Sequence, residues 1–161
     1  MNTTALLTAI AIGLGATLLI DLWALVLKRA FGLASLDYCL LGRWALHIPE
    51  GKILHERIVT AVRKRYECRV GWTMHYLIGA TFAIGFVMLA SPSWLERPTL
   101  APALLFGVLT VLVPFFTIQP ALGLGIASSN APQPSRARLK SVATHTVFGI
   151  GLWLVASLFA V

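Results

Sequence analysis

Four long apolar runs limit what this chain can fold into. Residues 4–27 contain a single charge, Asp21, while residues 70–90, 100–127 and 141–161 contain no Asp, Glu, Lys or Arg. About 20 consecutive apolar residues in helical form cross a hydrocarbon core of about 30 Å, and each run meets that length. Inside a bilayer every backbone polar group needs an internal partner, so such runs must be helices or strands of a closed barrel. Barrel strands are shorter and alternate in polarity; these runs do neither. The expected fold is an all-α membrane protein. It is a four-transmembrane-helix bundle forming one polytopic domain over residues 1–161.

Composition agrees. Of 161 residues 58% are hydrophobic and 12% charged, where a soluble domain carries about 25% charged residues. Lys and Arg number 13 against 6 Asp and Glu, a formal charge of +7. Reading that excess as nucleic-acid binding needs a basic patch on a water-soluble fold, so no nucleic-acid partner is expected. The N-terminus lacks a basic n-region and its long apolar run holds an aspartate, so it does not read as a secretory signal. No P-loop, dinucleotide fingerprint, GxSxG or HExxH is present, and nothing in the motifs points to an enzyme.

The basic residues fix an orientation. Nine lie between the first two spans, in residues 28–69, and Arg136, Arg138 and Lys140 lie in the 128–140 linker. The loop between the second and third spans holds only Arg97, beside Glu96. Lys and Arg accumulate on the cytoplasmic side of inner-membrane proteins. Residues 28–69 and 128–140 are therefore expected in the cytoplasm, with both termini periplasmic. Trp94 is placed for the outer interface, Trp23 and Trp72 for the inner one.

Residues 28–69 are too many for a tight turn. Leu36, Leu40, Leu41 and Trp44 recur at helical spacing, with Asp37 and Arg43 elsewhere on the wheel, which predicts an amphipathic helix in the headgroup region. A second short helix over residues 52–66 would complete a cytoplasmic helical hairpin. Its basic run, Arg63-Lys64-Arg65, reads as a topology determinant that also attracts anionic lipids, at about 1 kcal/mol per basic residue. His47, Glu50, His55 and Glu56 offer acid–base groups here but read as solvated surface. Cys39 and Cys68 lack CxxC spacing, and reduced thiols are expected on a cytoplasmic face.

The few polar side chains within the spans share a depth. At about 1.5 Å per residue, Asp21 lies roughly 9 Å from the cytoplasmic end of its span and His75 roughly 7 to 8 Å into the second. His145 lies roughly 6 Å into the fourth, and Gln119 about 12 Å from the inner end of the third. An ionisable group in hydrocarbon costs several kcal/mol, so it should face the protein interior or water. One shared polar site opening to the cytoplasm is expected, with Arg43 and Arg138 as anion-attracting neighbours at its mouth. The spacings Gly13-Thr17-Asp21, Trp72-His75-Gly79 and Ser141-His145-Gly149-Trp153 put small and polar residues on shared helix faces. The third span is irregular: Pro114-Phe-Phe-Thr-Ile-Gln-Pro120 removes backbone donors, and Gly123 and Gly125 follow.

Three functions fit that site. Small-solute or proton handling leads, because histidine titrates near neutrality beside a carboxylate. A redox subunit is the runner-up: His75, His145 and Asp21 are candidate ligands for a transition metal, or the two histidines for haem. The third is a structural or accessory role, in which the polar groups only bond one another. A second copy of the chain is a candidate partner.

The sequence also resembles a known family. The matching residues are Asp21-Leu-Trp23, Ser35-Leu-Asp-Tyr38, Gly42-Arg-Trp44, Gly71-Trp-Thr-Met-His75-Tyr76 and the Pro114–Pro120 segment. They continue with Pro132-Gln-Pro134, Thr144-His145 and Gly149-Ile-Gly151. Together they resemble the bacterial inner-membrane family called domain of unknown function 2938. The resemblance implies a four-span bacterial membrane protein and carries no activity, substrate or catalytic residue.

Overall fold

A computed structural model describes residues 1–33 and 36–160. Among them the secondary structure is entirely helical. Four helices are long and apolar enough to cross a membrane, at Thr3–Phe31, Glu67–Ala90, Leu100–Ala121 and Pro134–Phe159. The expected end of the fourth span at Val161, and Ser35 of the family-like motif, lie outside the described residues.

Helix α1 (Thr3–Phe31) begins where the Asn2 side chain accepts the Ala5 N–H at 2.8 Å. It ends at Gly32, whose φ of 66° turns its N–H back onto the carbonyls of Leu27 and Lys28. Helix α2 (Tyr38–His47) is the amphipathic segment, capped by Asp37 accepting from Cys39 N–H at 2.9 Å. Helix α3 spans Glu67–Ala90 and α6 spans Pro134–Phe159. The third span is interrupted. Helix α4 (Leu100–Leu109) is followed by a π-helical turn at Pro114–Ile118 and by the short α5 (Gln119–Ala121). Pro114 and Pro120 cannot donate to a helical ladder. The widened turn answers this, with Gln119 N–H donating to the Pro114 carbonyl five residues back.

The chain divides into two compact units. The first comprises residues 1–35, 76–110 and 142–161. Its core gathers Ile12, Ala16 and Ile20 of α1, Ala83 and Phe86 of α3, and Trp94. Ala103 of α4 joins them, with Phe148, Leu152 and Ala156 of α6. Glycines bring the backbones together. A Cβ on Gly13 would lie 2.6 Å from Ala80 Cα, and one on Gly107 would run into the backbone of Gly149. In lipid there is no hydrophobic force between helices, so dispersion at such close crossings holds them.

The second unit comprises residues 36–75 and 111–141. Here α2 crosses the first turns of α3 so closely that a Cβ on Gly42 would strike the Glu67 carbonyl, and one on Gly71 the Tyr38 carbonyl. A disulfide joins Cys39 to Cys68 across the same crossing, with Cα atoms 3.9 Å apart. The expectation of reduced thiols is thereby corrected: the helix crossing brings the two sulfurs to bonding distance. The second helix expected over residues 52–66 is also absent; only a 3-10 turn at Ile58–Thr60 forms. The backbone of that stretch is used elsewhere. His55 and Ile58 N–H donate to the carbonyls of Ala121 and Leu122 at 3.0 and 3.1 Å, and Arg43 takes three of its carbonyls.

The glycine crossings generate a contrast. Gly107→Ala is expected to destabilise the protein by about 1–3 kcal/mol, the usual cost of overpacking. Gly85→Ala, where a Cβ meets nothing within 4 Å, should leave thermal unfolding in detergent unchanged or slightly raised. Equal melting temperatures for the two variants would refute the packing account.

Candidate functional site

The four side chains expected to share a site divide between the units, Asp21 and His145 in the first and His75 and Gln119 in the second. In the first unit, the Tyr76 hydroxyl on α3 donates to Asp21 Oδ2 on α1 at 2.8 Å. There too, the Thr110 hydroxyl donates to the Gly107 carbonyl at 2.6 Å and lies 2.8 Å from His145 Nδ1. A hydroxyl has one proton to donate. Thr110 therefore accepts from His145 Nδ1–H. Asp21 and His145 are both partly buried.

In the second unit, Gln119 is buried and bridges two serines. Its Oε1 accepts from the Ser128 hydroxyl at 2.9 Å and its Nε2 donates to Ser141 Oγ at 3.4 Å. The π-helical turn just before it sets the direction of this side chain, and such turns recur at functional sites. Ser128 reaches back because Ala127 and Ser128 adopt left-handed φ values of 48° and 58°. His75 stacks on the Tyr38 ring with centroids 3.9 Å apart, and Trp72 meets the same ring edge-on at 4.8 Å.

Arg43, expected at the mouth of a site, is 5% exposed and holds the loop instead. Its Nε and Nη2 donate to the two oxygens of Glu67 at 2.9 and 2.8 Å. Its Nη1 reaches the carbonyls of Ile58, Val59 and Ala61 at 3.2–3.3 Å. Hydrogen bonding to Glu67 holds the guanidinium above its ordinary pKa, against the opposing effect of burial. Arg138 is exposed and its Nε donates to the Ala127 carbonyl at 2.8 Å. On the surface, Lys64 pairs with Glu50 and holds that carboxyl below its ordinary pKa.

His47 was expected in solvent; it is 2% exposed. Its Nε2 lies 3.0 Å from the Val62 carbonyl and its Nδ1 3.0 Å from His55 Nε2. A carbonyl only accepts, so His47 is protonated on Nε2 and accepts at Nδ1 from His55. The lone pair of His55 Nδ1 is then buried without a hydrogen-bond partner among the described residues. His55 also lines an open cavity of about 460 Å³ with Glu56, Pro120, Gly123 and Asn130. Sequence reasoning missed this pair, together with Tyr76, Thr110 and Ser128. Hydropathy counts Tyr and Thr as near-neutral filler, and nothing local signals that residues eight apart meet across an irregular loop. Among the described residues no three His, Cys, Asp or Glu side chains assemble as a metal-ligand set.

Four membrane-length helices, each carrying a hydrogen-bonded polar side chain, define a multi-pass α-helical membrane protein. No curated protein and no solved structure matches the chain. A family model does, over residues 10–159: the chain belongs to the family described as Protein of unknown function (DUF2938).

Arg43 carries a prediction of its own. Removing one partner from a buried ion pair costs about 3–5 kcal/mol, so Arg43→Gln should lower the melting temperature steeply. Arg43→Lys should recover little of it, because an ammonium cannot meet Glu67 bidentately and also span three carbonyls. Limited proteolysis between residues 52 and 66 checks the local consequence, with cleavage accelerating in both variants. Unchanged cleavage would mean that the guanidinium does not hold the loop.

Proposed function

We propose that the chain resides in a bacterial inner membrane and handles protons or a small solute there. The groups proposed to carry this are Asp21, His75, Gln119 and His145, in the cytoplasmic half of the membrane. Both termini face the periplasm, and the basic segments 28–69 and 128–140 face the cytoplasm and anionic lipid headgroups. Arg138 attracts anions near that surface. A second copy of the chain is the proposed partner, since four spans enclose little space between them.

The hydrogen bond from Tyr76 to Asp21 carries the reading. An aspartate at the centre of a spanning helix costs about 2.5–3.5 kcal/mol on insertion scales. A hydrogen bond between membrane helices returns about 0.6 kcal/mol on average. That one bond does not by itself repay the insertion of Asp21. The pair suits a group that exchanges a proton: a carboxylate that already accepts a hydrogen bond, with a hydroxyl to relay. His145, whose Nδ1–H is donated to the Thr110 hydroxyl, is assigned proton acceptance at Nε2.

Purified full-length protein in liposomes with an internal pH-sensitive dye tests this under an imposed pH gradient. Wild type should dissipate the gradient, Asp21→Asn should lower the rate at least tenfold, and Tyr76→Phe should lower it less. His145→Ala should also slow it while the protein stays monodisperse. Rates equal to empty liposomes, with substitutions that change only the melting temperature, would leave a structural role. A Soret band or bound metal in the purified protein would favour the redox reading in its place.

A further inference from the structure

The Cys39–Cys68 disulfide sits where a structural crosslink is least expected. Its two sulfurs belong to the basic segment, which carries nine of the 13 Lys and Arg. On the orientation proposed above that segment faces the cytoplasm. Cytoplasmic disulfides, where they occur, are mostly transient and catalytic or redox-sensing. We infer that Cys39 and Cys68 form a redox-active dithiol–disulfide centre that exchanges electrons with a cytoplasmic thiol reductant. The inference rests on the proposed orientation of the basic face, not on the proton or solute reading.

The two sulfurs have unequal surroundings, and that assigns their roles. Cys68 is exposed and is the second residue of α3, where the first-turn N–H groups and the helix dipole favour a thiolate. Arg65 and Arg69 add positive charge at the same end. Tyr66, held at a φ of 66° just before the helix, gathers both guanidiniums over its ring at 4.6 and 5.4 Å. Glu67, the nearest carboxylate in sequence, is neutralised by Arg43. Cys39 is only partly exposed and also lies in a helix first turn, but its N–H is occupied by the Asp37 carboxylate, whose charge opposes a thiolate. Cys68 is therefore the sulfur that meets the partner, and Cys39 the one that resolves.

The exchange balances without a cofactor. A reductant thiolate attacks Cys68 Sγ, the Cys39–Cys68 bond breaks, and Cys39 leaves as a thiolate that takes a proton. The second thiol of the reductant then attacks the mixed disulfide and releases Cys68 as the stabilised thiolate. Two electrons and one proton pass to the protein, the second proton goes to solvent, and the reductant becomes a disulfide. The reverse sequence reoxidises the pair. The chemistry required of the partner is a low-potential thiol, either a dithiol protein of thioredoxin type or a small monothiol such as glutathione. With a monothiol, a second molecule performs the second attack.

Inside-out membrane vesicles holding the full chain test the proposal without denaturation. Thioredoxin with its reductase, or glutathione alone, is added, and freed thiols are tagged with an impermeant maleimide–polyethylene glycol that retards the band on a gel. Two tags per chain within minutes are expected. Whichever reagent acts at the lower concentration identifies the partner as a dithiol protein or a small thiol. Cys39→Ser, which keeps exposed Cys68, should trap at least tenfold more mixed disulfide than Cys68→Ser, both variants first being shown monodisperse in detergent. A bond that opens only after denaturation would overturn the proposal as a structural crosslink, and equal trapping would overturn the assigned roles. Tagging from right-side-out vesicles alone would overturn the cytoplasmic orientation and its reductant, while the liposome assay for protons would stand untouched.

Discussion

Close approach of helix backbones is the constraint on which both compact units depend. Apolar side chains gain nothing by leaving lipid for one another, so stability must come from contact density and from polar groups that cannot be left unpaired. In the first unit this explains why glycine and alanine occupy the crossings, Gly13 against Ala80 and Gly107 against Gly149. The larger residues of the core, Phe86, Trp94 and Phe148, fill the space around those crossings. The second unit uses the same device at Gly42 and Gly71. There the approach has a chemical result as well, since it brings Cys39 and Cys68 into covalent contact.

Where the chain leaves regular helix, a single guanidinium substitutes for secondary structure. The stretch from residue 52 to 66 has no ladder of its own, and buried carbonyls need donors. Arg43 supplies them to Ile58, Val59 and Ala61 while Glu67 balances its charge. Backbone bonds to Ala121 and Leu122 tie the same stretch to the end of the interrupted third span. His47 and His55 close the loop from the other side. The polar groups of the second unit thus hold its irregular chain, whereas those of the first join neighbouring spans.

The four spans were legible because apolar length is a local property of sequence. Their ends were less so, for reasons visible at each. Span one runs past residue 27 to Phe31, since a helix needs a stop signal and Gly32 is the first. Span four starts at Pro134, not residue 141, because a proline at the first helical position and ordinary helix formers extend it through polar residues that hydropathy discards. Span three ends at Ala121, where Pro120 and Gly123 break the ladder. Asp21 announced itself as the lone charge in an apolar run, but its partner Tyr76 lies 55 residues away and carries no such contrast. The disulfide did have a signal, the same Cys-x-x-Gly spacing in Cys39–Gly42 and Cys68–Gly71. It reads as a pair only once the two helices are known to cross.

Asp21 and Cys68 show how one physical rule yields opposite chemistry. Both are groups whose charged form depends on its surroundings. Asp21 sits within an apolar helix, far from the terminal N–H groups that could steady an anion, and accepts from the Tyr76 hydroxyl. Cys68 lies at a helix N-terminus amid guanidinium groups, where an anion is favoured. Its deprotonated form is the one the proposed thiol exchange uses. The proposed proton chemistry belongs to the apolar spans and the proposed thiol chemistry to the basic face. That division follows from where the sequence puts its 13 cationic residues and where it leaves one carboxylate among none.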